Sequence, residues 1–361
     1  MSYRIKRSET PTEAVTRIAA EETGAALADL ADPDSRGVVE AVHDCRKRCR
    51  KMRGLLRLAP PTRAKRYRRL DRSYRDAARA LSGYRDAHAT LATLDRLVAV
   101  TDDLPDGLGP VRRELVRRAD AASDAVDRGA ESIGRAQELL NGAAALLDGW
   151  TIEGDGWRAL GPGLQATYAQ GLAALDELIA DPSSARSHEL RKRAKYTWYH
   201  LRLLQRSAPS ILVSLSAGFE ELVECLGDAN DLAVLAELLE DEPEAFGEDE
   251  GRQATHDFLE SHRGSMLEAA LGRARRLYAE EPEAFARRLG RYWKVWHRHG
   301  AEAPVGPIGH ESVDVADGLD ELTVAQLRPL ARELGLANLS SRRRHELLAD
   351  LRAHGVTRTT T

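Results

Sequence analysis

The chain has 361 residues, 30% of them charged, and a formal net charge of only −4. That length allows a sizeable core and two or three domains, while the small net charge hides a strong segregation of sign. Three cysteines with no CxxC pair and no Cys/His ligand set exclude a disulfide framework and a metal site. The absence of eighteen consecutive apolar residues excludes a membrane span, and Met1 to Thr10 lacks an apolar stretch, so a soluble, cytoplasmic protein is expected.

Ala, Leu, Arg and Glu dominate, apolar residues recur at helical spacing and β-branched alternation is absent, so the fold class is all-α. Thr10-Pro11-Thr12-Glu13 reads as a capping box opening a helix toward Leu30, closed by Asp32-Pro33-Asp34. A basic helix then runs from about Gly37 until Pro60-Pro61 interrupts it. Its His43, Arg46, Lys47, Arg50 and Arg57 fall at i, i+3, i+4, i+7 and i+14, a cationic face ~21 Å long. Val42, Cys45, Cys49, Met52 and Leu56 form a separate apolar seam. A second helix, Thr62 to Leu81, carries Lys65, Arg68, Arg72, Arg75 and Arg79. From His43 to Arg79 there are 15 Lys or Arg against 3 Asp or Glu, and arginine outnumbers lysine 46 to 7 in the whole chain, which favours bidentate phosphate contacts. Loops are expected at 102–110 and 149–163, the latter pinned by Trp150 and Trp157.

At Arg191 the pattern returns. His43-Asp44-Cys45-Arg46-Lys47-Arg48 is echoed 145 positions later by His188-Glu189-Leu190-Arg191-Lys192-Arg193, and the same offset pairs Leu56-Arg57-Leu58 with Leu201-Arg202-Leu203 and Asp86 with Asp231. A repeat of this kind marks a duplicated unit. The second cationic face is His188, Arg191, Lys192, Lys195 and Arg202. Cys45 and Cys49 correspond to Leu190 and Ala194, so they read as small packing residues. Like charges at i,i+4 each cost a helix roughly 0.2–0.5 kcal/mol; an arrangement kept twice despite that cost has an anion to hold. The helix after the second copy, Ser214 to Leu226, bears Glu220, Glu221 and Glu224 where its counterpart has arginines, and Glu220 to Glu250 holds 13 acidic residues and no basic one. Such separation places a cationic site on an acidic body.

From Glu283 to His299, Arg287, Arg291, Lys294 and Arg298 share one face, and Phe285, Leu289, Tyr292, Trp293 and Trp296 have the spacing of a buried seam rather than of a base-stacking platform. Residues 303–318 are a Gly/Pro-rich acidic linker. A module over 319–356 follows, with a capping box at Thr323 to Gln326, Gly335 as helix C-cap, and a second helix whose first turn holds Arg342, Arg343 and Arg344 against the helix dipole.

His43-x-x-Arg46-Lys47-Arg48 and His188-x-x-Arg191-Lys192-Arg193-x-Lys195, each followed some forty residues on by Arg85-Asp86 or Asn230-Asp231 opening another helix, resemble the CHAD domain, the conserved histidine α-helical domain, over roughly residues 10 to 300. The resemblance implies two pseudosymmetric four-helix bundles (halves about 10–148 and 163–302 within a domain spanning 1–302) around a basic channel that binds inorganic polyphosphate. It also implies that His43, Arg46, Lys47, Arg50, His188, Arg191, Lys192 and Lys195 line that channel. Arg57, Arg202, Arg72, Arg79, Arg291 and Lys294 are further candidates on the cationic faces. No Glu-x-Glu-x-Lys signature of the triphosphate tunnel metalloenzymes that accompany such domains is present. The segment 319–356 resembles the helix-extension-helix of the SAP family and the related Rho termination factor amino-terminal domain, which implies DNA or RNA contact through Arg342, Arg343 and Arg344; a hairpin that merely docks has equal standing.

The expectation is therefore a non-catalytic polyphosphate binder, cytoplasmic and associated with polyphosphate granules, with no membrane, metal or cofactor. The two histidines either donate to phosphate when protonated or pack while neutral. Asp86 and Asp231 read as helix-start carboxylates that orient basic side chains. The rival reading is a nucleic-acid binder using the same helices with Trp293 and Trp296 stacking on bases. An enzyme fares worst, since no P-loop, His/Asp metal cluster, paired carboxylates or nucleophile elbow is visible.

Overall fold

Thr10 starts the first helix by satisfying donors that a helix end leaves orphaned. Its Oγ1 accepts from the Glu13 amide at 3.3 Å, the Glu13 carboxylate accepts from the Thr10 amide at 2.9 Å, and Pro11 occupies the first helical position. The computed structural model describes residues 3–33, 37–82, 86–101, 103–123, 126–300, 327, 331 and 344–353. It is all-α. The helices are α1 (Pro11–Ala31), α2 (Val38–Leu58), α3 (Ala64–Ala80), α4 (Asp86–Val98), α5 (Leu108–Ser123), α6 (Val126–Leu147), α7 (Trp157–Ala180), α8 (Ser184–Leu204), α9 (Pro209–Asp241), α10 (Asp249–Leu277), α11 (Pro282–His299) and α12 (Arg344–Ala353). The chain divides into two compact units, Met1–Glu302 and Ala303–Thr361.

In the larger unit α1, α2, α3 and α6 pack side by side as one four-helix bundle, and α7, α8, α9 and α10 form a second, with α11 laid along α7. The apolar seam read from the sequence is what builds the first: Val42, Cys45, Cys49, Met52 and Leu56 are all buried, each exchanging water for apolar contact. A separate core then joins the two halves. Leu94 and Leu97 of α4 and Val111 and Leu115 of α5 pack against Leu232, Leu235 and Leu239 of α9 and Leu259 of α10.

Two sequence expectations are corrected here. Asp86 opens α4, but Asp231 lies inside the 33-residue α9, not at a helix start. The leucines of α9 on either side of Asn230-Asp231 are buried in successive cores, so packing carries the helix through. Likewise 149–163 is not loop throughout, because α7 begins at Trp157 and takes Pro162 inside it. Gly149, Gly154 and Gly156 take positive φ in the turn before α7, whereas Gly163 serves close approach: a Cβ there would lie 2.1 Å from the Leu58 carbonyl oxygen, where α7 crosses the end of α2.

The smaller unit is described only in part. Leu327, Ala331, Leu347, Leu348 and Leu351 are buried within it. Arg342 and Arg343, the capping box at Thr323 and the linker 303–318 lie outside the described residues, and Arg344 is known only as the residue that opens α12. Among the described residues no helix is long and apolar enough to cross a membrane, and no group of three or more His, Cys, Asp or Glu is placed to hold a metal.

Candidate polyanion-binding site

The two basic helices meet. Gly54 of α2 and Tyr199 of α8 are 145 positions apart, the offset of the sequence repeat, and they face one another: a Cβ on Gly54 would sit 3.1 Å from Tyr199 Cδ2. Beside them the buried His200 shares a 2.8 Å hydrogen bond between its Nε2 and the Gly54 carbonyl oxygen. Burial pushes that imidazole down to about 4, so it is neutral at physiological pH and acts as a packing and hydrogen-bonding residue. The surroundings of the crossing obey the same offset. Arg57 lies over the Tyr196 ring at 4.2 Å, and the corresponding pair, Arg202 and Lys51, are close enough that Arg202 opposes the lysine's charge.

Not all the arginines and lysines of α2 are available to a ligand. Those on the α1 side are held internally: Arg48 pairs with Asp29 at 2.6 Å and Glu22 at 3.3 Å, and Lys51 with Glu22 at 2.8 Å. On the α3 side Arg53 and Arg57 both reach Asp71 at 3.0 Å. Burial opposes the Asp71 charge, but the bonds from Arg53 and Arg57 outweigh it and hold its carboxyl below the usual range. Arg57, a sequence candidate, therefore acts mainly as a strut between α2, α3 and α8.

Lys47, Arg50 and Arg202 are different. None has a carboxylate within ion-pair distance among the described residues. Arg202 lies over the Trp198 ring at 5.1 Å, and the Arg50 Nε is buried with no hydrogen-bond partner. Their field is visible on their neighbours. Burial, with Arg202 and Lys47 adding to it, pushes the Lys51 ammonium below its ordinary value against the pull of Glu22. The phenol of Tyr199 is raised to about 12 by burial, with the Glu22 charge adding to it, against the opposing charges of Arg50 and Arg202. Positive charge from both basic helices, with no ion-pair partner among the described residues, thus gathers near the crossing.

The remaining candidates are distributed around this centre. Arg46 donates to the Leu81 carbonyl at 2.9 Å, and its counterpart Arg191 donates to the Val223 carbonyl at 3.4 Å. Each motif arginine is thereby aimed by the helix that follows it. Gly227 makes room for the second, since a Cβ there would come within 2.6 Å of Arg191 Nη2. Lys192 is engaged with Glu189, which also accepts from Arg193 at 2.6 Å. His43 and Lys195 are half-buried and His188 is exposed on the first turns of α8.

Arg72 and Arg79 lie on the exposed face of α3, and Arg291 and Lys294 on that of α11, which packs chiefly on α7. Trp293 and Trp296 are 3% and 4% exposed, in a ring cluster with His297, and so cannot stack on bases as the nucleic-acid reading required. Asp231, with Asp228, faces Arg96 of α4 at 3.9 Å and serves the joint between the halves rather than the cationic faces. The residues missed in the sequence are Gly54, Tyr199 and His200; only the coincidence of Gly54 and Tyr199 under the repeat offset could have marked them.

A family model described as the CHAD domain matches residues 13–240, more than half of the chain. The chain belongs to the CHAD domain family. Among solved structures it is similar to the CHAD domain from the plant Ricinus communis, with a TM-score of 0.57 and 20% sequence identity over 76% of this chain and 94% of that one. That likeness shows the fold. No curated protein matches the sequence.

Proposed function

We propose that this protein binds inorganic polyphosphate, without catalysis, along the cationic faces of α2 and α8. The observation that carries the reading is that Lys47, Arg50 and Arg202, near the Gly54–Tyr199 crossing, have no carboxylate within ion-pair distance among the described residues, in a chain of the CHAD family. A linear chain of condensed phosphates supplies a charge at every repeat unit, so contacts that are weak singly add along its length. Where side chains are half-buried, each contact is stronger than the ~0–1 kcal/mol of an exposed ion pair. Arg46 and Arg191, anchored to backbone carbonyls, and Lys195 extend the cationic surface away from the crossing along their helices. On this reading the protein has a binding and targeting role in the cytoplasm at polyphosphate granules.

Crystals grown with tripolyphosphate test the placement. Anion density is expected against Lys47, Arg50 and Arg202, between α2 and α8. Density confined to the outer face of α3, at Arg72 and Arg79, would move the site off the crossing and overturn this reading.

A further inference from the structure

A second cationic recess lies at the far end of α11. The segment before α1 is tied down there: the Ile5 amide donates to the Leu203 carbonyl at 3.1 Å, Arg17 donates to the Arg4 carbonyl at 3.0 Å, and Arg7 donates to the His297 carbonyl at 3.2 Å. Between this segment, the turn before α7 and the last turns of α11 is a cleft of about 470 Å³, within the size range of small-molecule sites.

Its chemistry has two parts. Arg7, Lys294 and Arg298 line it, and none has a carboxylate within ion-pair distance among the described residues. Of the carboxylates on its wall, Glu9 is paired with Arg17 at 2.6 Å, while the exposed Asp155 accepts from the Gly156 amide at 2.7 Å and keeps its charge. The other part is aromatic. Trp157 and Trp293 line the same cleft with ring centroids 6.2 Å apart. The Trp157 ring is fixed because its Nε1 edge is wedged between Gly161 and Gly290, where an added Cβ would lie 2.6 and 2.5 Å from Nε1. The Nε2 of His297, also on this lining, is buried without a hydrogen-bond partner.

We infer that this cleft binds a nucleoside monophosphate, its phosphate held by Arg7, Lys294 and Arg298 and its base packed on the Trp157 indole. Cations alone would accept any anion. The immobilised indole adds a flat ring face beside the cations, which a bare phosphate chain would leave unused. Wall carboxylates also disfavour a densely charged polymer while leaving room for sugar hydroxyls to donate to Asp155.

AMP titrated into the full chain, followed by calorimetry and by tryptophan fluorescence, tests the assignment. Saturable binding with a fluorescence change is expected, weakened at least about tenfold, or about 1.4 kcal/mol, in Lys294→Glu/Arg298→Glu, while polyphosphate affinity stays unchanged. Both residues are exposed, and circular dichroism checks the fold. Arg7→Gln should give a smaller loss. Ribose 5-phosphate, which lacks the base, should bind at least about tenfold more weakly than AMP. No saturable AMP binding, binding indifferent to the double variant, equal binding of ribose 5-phosphate, or loss of polyphosphate affinity in the same variant would each overturn the inference. A charge reversal at the α2–α8 crossing leaves AMP binding intact, so failure of one site is distinguishable from failure of the other.

Discussion

Lys47→Glu combined with Arg202→Glu is expected to lower polyphosphate affinity at least about 100-fold while leaving helical content unchanged. Each substitution removes a charge-assisted contact of about 1.5–3 kcal/mol and puts a repulsion in its place, and about 2.7 kcal/mol already amounts to a hundredfold. The fold should tolerate the change because neither side chain is neutralised internally. Arg202 and Lys47 both oppose the charge of Lys51, so a glutamate at either position relieves a repulsion within the protein. Charge reversal at Arg48 would report something else, since it sets a like charge against the largely buried Asp29 and Glu22 and leaves Glu22 only its bond from Lys51. A control reversal at Arg135, an exposed residue paired with Glu138, should leave affinity within about twofold. Equilibrium titration with long-chain polyphosphate at fixed salt makes the comparison; full affinity in the folded double variant would remove the crossing from the site.

Gly163→Ala should be the most damaging single methyl in the molecule's helices. The new Cβ would sit 2.1 Å from the Leu58 carbonyl oxygen and 2.5 Å from that of Arg57. Both are backbone atoms of the last turn of α2, so no side chain can swing aside and α7 itself must move. Losses for such overpacking run to about 3 kcal/mol or more, which for a unit of this size is a fall in melting temperature on the order of 10 °C. Because α7 and α8 are packed together, the shift should also disturb the α2–α8 crossing and lower polyphosphate affinity. Gly142→Ala in α6 is the contrast: it is exposed and meets nothing within 4 Å, so it should raise stability by about 0.5–1 kcal/mol through helix propensity alone. Thermal denaturation of both variants checks the pair, and a Gly163→Ala protein as stable as wild type would mean that the close contact between α7 and α2 is misplaced.

These expectations rest on features that were unequally legible in the sequence. Local signals carried far: the Thr10 capping box, the apolar seam from Val42 to Leu56, and the buried aromatic side of α11 depend on residues within a few turns of each other, and the helices form where those signals stand. Longer-range packing did not show. Asn230-Asp231 matches a helix start in the first half of the chain, yet in the second half leucines of α9 find partners in α4 and α5, and the helix runs on. The basic helices illustrate the same limit at the site. Arg48, Arg50, Lys51 and Arg57 are alike in charge and close in sequence, but Glu22, Asp29 and Asp71 on neighbouring helices claim all but Arg50. No spacing rule within α2 can reveal carboxylates that lie on α1 and α3. The repeat did contain one unused clue, for Gly54 and Tyr199, which touch where α2 meets α8, stand 145 positions apart, the offset of the two sequence copies.

The proposed ligand is a flexible phosphate polymer rather than a nucleic acid, whose bases would find Trp293 and Trp296 already buried. Both ligands are polyanions and both weaken with salt, so salt dependence does not separate them. Competition does. Full-length protein saturated with labelled duplex DNA or single-stranded RNA, at physiological salt, should release it when long-chain polyphosphate is added at equal phosphate concentration, and nucleic acid should fail to displace labelled polyphosphate. If nucleic acid instead displaces polyphosphate, the cationic faces of α2 and α8 serve a different ligand and the proposed function is wrong.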